Sequence, residues 1–125
     1  MTGTNGKGSV VAMSAAMLAA SGLTVGTFTS PFITRFNERI AINDQPISDA
    51  DLVKYTQQVA PIVAAMDATR PEGGPLEFEV DLAIAFLYFQ AQAPDVVILE
   101  VGIGGRWDYT NVIDPVAAAI VTVGY

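Results

Sequence analysis

Residues 3–9 read Gly-Thr-Asn-Gly-Lys-Gly-Ser, and an Ala-, Met- and Leu-rich segment follows them directly. Glycines let successive backbone N–H groups turn toward phosphate oxygens without a clash from Cβ. The helix that follows adds a partial positive charge at its N-terminus. Lys7 can reach terminal phosphates, and Ser9 can offer a hydroxyl to phosphate or Mg²⁺. The stretch therefore predicts a phosphate-binding loop; the alternative is an ordinary Gly/Asn turn before a helix.

Strand-like and helix-like segments alternate along the rest of the chain. We expect strands at residues 23–29, 40–42, 95–101 and 116–123, and helices at residues 10–21, 48–68 and 77–93. The last two strands are rich in β-branched residues, which is typical of strands buried on both faces. Gly22 should close the first helix, Ser48 should cap the second, and Pro61 should kink or split it. A Pro/Gly turn is expected at residues 70–75. The alternation predicts an α/β fold with a mainly parallel sheet and flanking helices.

Composition excludes several classes of function. The 125 residues suit one domain, carry a net charge of −7 and include neither Cys nor His. Disulfides, thiol catalysis, His ligands and a Ser-His-Asp triad are thereby excluded, and lack of Cys fits a cytoplasmic protein. The negative charge argues against nucleic-acid or membrane partners, and neither a membrane-spanning run nor a signal peptide is evident. Four of six cations lie in Gly-, Ser- or Asn-rich segments: Lys7, Arg35, Arg39 and Arg106.

Glu100 ends the predicted strand at residues 95–101 and precedes a second glycine-rich loop. Burial of an unpaired carboxylate is costly, and ligands of open α/β sheets bind at the carboxyl ends of strands. Mg²⁺ is a suitable partner for such an oxygen ligand; a solvated strand end is the alternative. Residues 108–111 (Asp-Tyr-Thr-Asn) either order this loop or touch phosphate, and Trp107 and Tyr109 are expected to pack.

Residues 29–40 form the third informative segment, and they follow a predicted strand. They should lie at the same edge of the sheet as the phosphate loop, where Ser30 can coordinate the same metal. Phe32 and Phe36 either stack on an aromatic ligand or anchor the loop to the core. The sequence leaves both alternatives open.

Together these segments carry a family resemblance. GTNGKGS at 3–9, TSPFITRFNERI at 29–40 and LEVGIGGRWDYTNV at 99–112 closely resemble folylpolyglutamate synthase and the bifunctional dihydrofolate synthase/folylpolyglutamate synthase, of the Mur ligase superfamily. The resemblance covers essentially the whole chain. It implies a P-loop-type ATP-binding domain, incomplete at residues 1–125. The strand before the phosphate loop, a later metal-binding His and the glutamate-binding C-terminal domain are missing, so we expect the isolated chain not to turn over.

The resemblance also implies an activity and a set of residues. The activity is ATP-dependent ligation of L-glutamate to the γ-carboxylate of a (tetrahydro)folate through an acyl phosphate, with dihydropteroate as a further acceptor. ATP and Mg²⁺ are the implied cofactors, the partners are small molecules, and the full-length protein is expected to be monomeric. The implied residues are Lys7 and Glu100 for catalysis; Gly3, Thr4, Asn5, Gly6, Lys7, Gly8 and Ser9 for ATP; Ser30, Pro31, Phe32, Arg35 and Asn37 for substrate; and Ser30, Glu100 and Ser9 for metal.

Two other functions compete with this interpretation. Another Mur-type ligase would join an amino acid to a different carboxylate, although residues 29–40 favour the folate branch. A non-catalytic module would bind ATP without consuming it. A purely structural α/β domain would require both glycine-rich loops to be accidental.

Overall fold

The computed structural model describes residues 1–70 and 73–124, so residues 71–72 of the predicted turn at 70–75 and Tyr125 lie outside the described residues. The helices are α1 (Lys7–Ala20), α2 (Asp49–Thr69) and α3 (Glu77–Gln92), with a 3-10 helix at Phe36–Arg39. The strands are β1 (Val25–Phe28), β2 (Ile40–Ile42), β3 (Gln45–Pro46) and β4 (Val96–Leu99).

The four strands form one mixed sheet in the order β3-β2-β1-β4. β1 and β4 are parallel, with Val25 opposite Val96, whereas β2 pairs antiparallel with both β1 and β3. The α/β class is confirmed, but the sheet among the described strands is not mainly parallel as expected. The antiparallel β2–β3 pair follows from the turn between them, where Asn43 and Asp44 have φ of 47° and 62°. Two consecutive positive φ values are typical of a two-residue hairpin turn, which makes its strands antiparallel.

Residues 116–123 do not form the predicted buried strand. A single parallel bridge joins Thr2 to Ile120, and Val116 and Val123 are 106% and 76% exposed. A β-branched run gives a buried strand only where neighbours pair with it and cover it, and here the pairing is limited to the short stretch near Thr2. β4 also departs from expectation, because Val97 is 39% exposed rather than buried.

The core lies between the sheet and the pair of helices α2 and α3. Phe28 and Leu99 of the sheet are buried in one cluster with Leu82 and Phe89 of α3. The ring of Phe78 meets that of Phe28 edge-on, with 5.5 Å between the centroids. Each such side chain contributes about 1.5–3 kcal/mol through burial. α1 packs against β1 and β4 and contributes no residue to this cluster, and its first turn is left free to border a site.

The helix ends follow local chemistry. Ser48 caps α2 as predicted, since its hydroxyl accepts the N–H of Asp51 at 3.0 Å. Gly22, at φ 93°, follows the end of α1 and terminates it as expected. Pro61 lies inside an unbroken α2, so the prediction of a split helix is wrong; burial of Tyr55 and Val59 holds the helix together across the lost hydrogen bond.

No helix within residues 1–70 and 73–124 has the length and apolar character to cross a membrane.

Candidate functional site

A cavity of about 1030 Å³ opens where the phosphate loop meets the carboxyl ends of β1 and β4. Residues 4–9 form one wall, and Thr29, Ser30, Pro31 and Glu100 form another. The strand ends reach the same edge of the sheet because β1 and β4 are parallel and in register. The structure therefore brings together three segments that the sequence singled out separately.

The phosphate loop is held in place by residues near the other end of the chain. The N–H of Thr4 donates to the carbonyl of Thr122 at 2.8 Å. The N–H of Asn5 donates to the hydroxyl of Thr122 at 3.0 Å, and that hydroxyl donates to the carbonyl of Asn5. Gly3 has φ 143°, and a Cβ there would lie 2.9 Å from backbone atoms of Thr122. Glycine is thus required at Gly3 both by conformation and by space.

Lys7 opens α1 and folds back over the phosphate loop. Its Nζ donates to the carbonyl of Gly3 at 3.0 Å. Lys7 is the one cation among the described residues that line the cavity. The ammonium and the N-terminus of α1 therefore give an otherwise acidic cavity its positive end, which suits phosphate. Arg35, Arg39 and Arg106, which the sequence grouped with Lys7, are not brought there.

Glu100 directly follows β4 and is only 4% exposed. Its Oε2 accepts the N–H of Ser30 at 3.1 Å, and its own N–H donates to the carbonyl of Phe28 at 2.9 Å. Within residues 1–70 and 73–124 no Lys or Arg forms a salt bridge with this carboxylate. The carboxyl is therefore buried beside the cavity, as predicted, where it accepts a backbone hydrogen bond.

The residues beside Glu100 fit Mg²⁺. Glu100, Ser30 and Ser9 all line the cavity and offer hard oxygen donors, and a buried carboxylate without a cationic side chain favours a cation. The part of the chain that the structure describes holds no cluster of three or more acidic, His or Cys side chains. Such a sparse set suits Mg²⁺, which usually keeps waters and substrate phosphates as its other ligands.

The β1–β2 loop, residues 29–39, is organised by Glu38. Its carboxylate accepts the N–H groups of Ile33 at 2.9 Å and of Arg35 at 3.0 Å, with a longer contact from Thr34 at 3.3 Å. Hydrogen bonds from the backbone of Ile33 and Thr34 lower the pKa of Glu38 below its ordinary value. The carboxylate thus stays ionised and ties the loop to the 3-10 helix.

Phe32 and Phe36 pack against each other in this loop. Their ring centroids are 6.1 Å apart in an edge-on arrangement. The guanidinium carbon of Arg39 lies 5.5 Å from the ring of Phe32 and 5.6 Å from that of Phe36. Phe32 remains 41% exposed, so this ring is not sunk into the core. Of the two alternatives, the structure shows packing on Arg39, while stacking on a ligand stays a prediction.

Arg35 and Asn37 lie away from the main cavity. They line a separate hollow of about 340 Å³. Arg35 pairs with Asp49 at 3.0 Å in an exposed salt bridge, and the Asn37 amide donates to the Ile47 carbonyl and to Asp49, both at 2.8 Å. The structure therefore gives both residues a role in holding the loop against α2, and their predicted contact with substrate stays a prediction.

Asp108 organises the loop that follows Glu100. Its Oδ1 accepts the N–H and hydroxyl of Thr110 at 2.9 and 2.6 Å, and its Oδ2 accepts the N–H of Ile103 at 3.0 Å. Burial pushes the pKa of Asp108 upward, but these hydrogen bonds outweigh it and the net pKa is lowered. Of the two sequence alternatives, loop ordering is observed. Tyr109 adjoins Phe78 as expected, but Trp107 is 91% exposed, so its predicted packing is wrong.

Sequence reasoning missed Asp81. This residue lies within α3 among core side chains, and its Oδ2 pairs with Arg39 at 3.1 Å, with side chains only 5% and 13% exposed. Burial raises the pKa of Asp81 to about 6; the charge of Arg39 opposes that shift and Glu77 adds to it. The available signal was a single acid near the start of the otherwise apolar segment VDLAIAFLYF at residues 80–89.

Comparison with known proteins adds a sequence and fold relationship. No family model matches the chain. The chain is 50% identical over 126 aligned positions to the dihydrofolate synthase/folylpolyglutamate synthase of Bacillus subtilis strain 168, covering 100% of this chain and 29% of that protein. It superimposes on the folylpolyglutamate synthase of Thermotoga maritima with TM-score 0.93 and 44% identity, covering 99% of this chain and 29% of the other.

A third match is a folylpolyglutamate synthase (FPGS) solved as a complex with AMPPCP and folate. The TM-score is 0.88 at 49% identity, over 95% of this chain and 29% of that one. The predicted resemblance is confirmed: sequence and fold both match folylpolyglutamate synthases. The chain spans about 29% of the length of each of these three relatives.

Proposed function

We propose that this chain, similar along its length to folylpolyglutamate synthases, forms the nucleotide-binding part of an ATP-dependent ligase that joins L-glutamate to the γ-carboxylate of a folate. One observation carries the proposal. A single cavity is bordered by the phosphate loop, by Ser30 and by the buried carboxylate of Glu100. The relative solved with AMPPCP and folate supports both ligand classes.

Amide formation from a carboxylate and an amine is unfavourable in water and requires activation. In the proposed reaction the folate γ-carboxylate attacks the γ-phosphorus of ATP, which forms an acyl phosphate and releases ADP. The amine of glutamate then attacks the acyl carbon, and phosphate leaves from the tetrahedral intermediate as the nitrogen loses a proton. The protein contributes positioning and charge neutralisation rather than a covalent nucleophile.

The residues of the cavity have distinct parts in this proposal. Lys7, bonded to the Gly3 carbonyl in this structure, neutralises charge on the transferred phosphoryl group. Backbone N–H groups at the start of α1 bind phosphate oxygens. Ser30, Glu100 and Ser9 would hold Mg²⁺, which supplies charge neutralisation at the phosphates when bound. Pro31 and the rest of the β1–β2 loop border the space where the acceptor enters.

Finer features of the full-length protein are part of the same proposal. Dihydropteroate is proposed as a second acceptor, which the name of the Bacillus subtilis relative supports. A cytoplasmic location is consistent with a chain that has no Cys. The full-length protein is proposed to act as a monomer on small molecules alone.

Mass spectrometry of products tests the proposal. The full-length protein that contains this chain is incubated with ATP, Mg²⁺ and L-glutamate, and with either tetrahydrofolate or dihydropteroate as acceptor. We expect products heavier by one or more glutamyl units, with one ADP released per unit added. A reaction without ATP is the control. ATP binding with no adduct on either acceptor would overturn the folate assignment and favour another acceptor or a binding-only module.

A further inference from the structure

The β1–β2 loop is connected to α3 through two successive contacts. In the first, Glu38 binds the N–H groups of Ile33, Thr34 and Arg35. These three residues form the tip of the loop, which is thereby fixed to the 3-10 helix. The tip therefore follows any movement of the 3-10 helix. The contacts that hold the 3-10 helix in place therefore determine the position of the tip.

The second contact is made by Arg39, the last residue of the 3-10 helix. Its guanidinium adjoins the rings of Phe32 and Phe36 and pairs with Asp81 of α3 at 3.1 Å. Its carbonyl accepts the N–H of Thr29 at 2.9 Å, which closes the base of the loop. Arg39 is thus the point at which the rings, the loop base and the core helix meet.

The energetics of the pair favour a positioning role over a stabilising one. Both side chains are almost fully buried, and within the described residues Arg39 Nε and Asp81 Oδ2 make no hydrogen bond of good geometry. Buried pairs with incomplete hydrogen bonding add little stability compared with apolar side chains of the same size. They do fix orientation, because either charge left alone would be buried without a partner.

We propose that Asp81 is a positioning residue of the ligase: it fixes Arg39, and Arg39 holds Phe32, Phe36 and the tip of the β1–β2 loop beside the cavity. The inference rests on the proposed function for the identity of the acceptor. Pro31 and Ile33 of this loop line the cavity, so the orientation of the loop sets the shape offered to the acceptor. Ser30 is held by a separate hydrogen bond to Glu100, so we expect the ATP side of the cavity to depend less on Asp81 than the loop does.

The test compares Asp81→Asn with Glu77→Gln in the full-length protein. Glu77 is an exposed acid one turn earlier in the same helix, so the control removes equal charge without touching Arg39. In Asp81→Asn we expect amide hydrogen exchange at residues 33–35 to be about tenfold faster, since Arg39 loses the ion pair that orients it on the two rings, a loss worth about that factor. We expect KM for the folate acceptor to rise about tenfold while KM for ATP stays unchanged.

A double variant keeps the test valid if Asp81→Asn fails to fold. Asp81→Leu with Arg39→Leu removes both buried charges, which preserves stability where a lone charge would not. With thermal stability restored, we expect exchange at residues 33–35 to remain fast and acceptor KM to remain high. Exchange and acceptor KM at wild-type values in that folded double variant would overturn the positioning role.

The two proposals fail in different ways. If the wild-type protein adds no glutamate to either acceptor, the proposed function is wrong. Amide hydrogen exchange at residues 33–35 still tests whether Asp81 positions the loop. If the wild type is active and Asp81→Asn folds with unchanged exchange and unchanged acceptor KM, the positioning role is wrong and the function stands. A rise in acceptor KM that Glu77→Gln reproduces would also overturn it.

Discussion

The amide nitrogen of Ser30 donates a 3.1 Å hydrogen bond to Oε2 of Glu100, a residue 70 positions later in the chain. The bond joins the loop after β1 to the residue after β4, across the parallel pair of strands. It fixes the carboxylate at the cavity wall without neutralising it, because an N–H donor leaves the formal charge in place. The proposed metal and phosphate chemistry requires that retained charge.

Replacement of that charge is the sharpest test of the site. In Glu100→Gln the amide oxygen can still accept the Ser30 N–H, so we expect the fold to survive. We expect kcat to fall by about 100-fold or more, the magnitude typical of removing one electrostatic group from a transition state. Steady-state ADP release with folate and glutamate measures it. Asp114→Asn, at an exposed acid in the following segment, should be near normal; near-normal turnover in Glu100→Gln would argue against the assignment.

Lys7 is expected to act on the nucleotide rather than on the fold. Lys7→Met keeps the apolar stem and loses the ammonium that lies 3.0 Å from the Gly3 carbonyl. We expect ATP to bind more weakly and kcat to fall by about two to three orders of magnitude, with an unchanged thermal transition. Calorimetric titration with AMPPCP and steady-state kinetics measure the two effects. Lys54→Met, at an exposed lysine of α2, is the matched control.

The elements that could be predicted from the sequence are those fixed by local chemistry. Ser48, Gly22 and the apolar run before Glu100 each act through their own neighbours, and the helices and β4 follow at nearly the expected positions. The edge at which the phosphate loop, Ser30 and Glu100 meet was also predictable, because parallel strands end on one side of a sheet.

The remaining features depend on contacts between distant residues. The hairpin that joins β2 to β3 depends on positive φ at Asn43 and Asp44, which composition alone does not specify. Arg39 was grouped with the site cations, yet Asp81, 42 positions away, holds it in the core interface. Residues 116–123 have a strand-like pattern, but a pattern cannot show which neighbours are present to cover it.

The backbone at Gly3 gives a prediction about stability. Gly3→Ala places a Cβ 2.9 Å from the backbone of Thr122, whereas Gly22→Ala, at a similarly positive φ of 93°, meets open space. Both variants carry conformational strain of about 1 kcal/mol, and only Gly3→Ala adds a clash with backbone. We therefore expect a larger loss of unfolding free energy for Gly3→Ala, together with weaker AMPPCP binding. Denaturant unfolding of both variants measures this, and equal losses would contradict the clash.

Asp81 predicts a pH dependence with an unusual sign for a carboxylate. Its pKa is about 6 in the folded protein against an ordinary value of 3.8, so the folded state retains a proton that the unfolded state releases. Its contribution to stability is fully present below pH 3.8 and is lost as pH rises through about 6. Protonation of Asp81 therefore favours the folded state over this range of pH.

Comparison of wild type with Asp81→Asn isolates this contribution, because the other titrating groups cancel in the difference. We expect the stability advantage of wild type over Asp81→Asn to shrink between acid and neutral pH. Urea unfolding of both proteins at several pH values measures it. An advantage that is constant with pH, or that grows toward neutral pH, would show that folding does not raise the pKa of Asp81.

The bonds between Asn5 and Thr122 join residues 117 positions apart. During synthesis, the phosphate loop is made well before Thr122, the residue that supports it. Contacts this distant carry a large loop-closure entropy and form late. The nascent chain therefore passes through a stage in which α1 can form while the loop before it lacks its native support. Nucleotide is expected to bind only after that stage, and so to report formation of the contacts between Asn5 and Thr122.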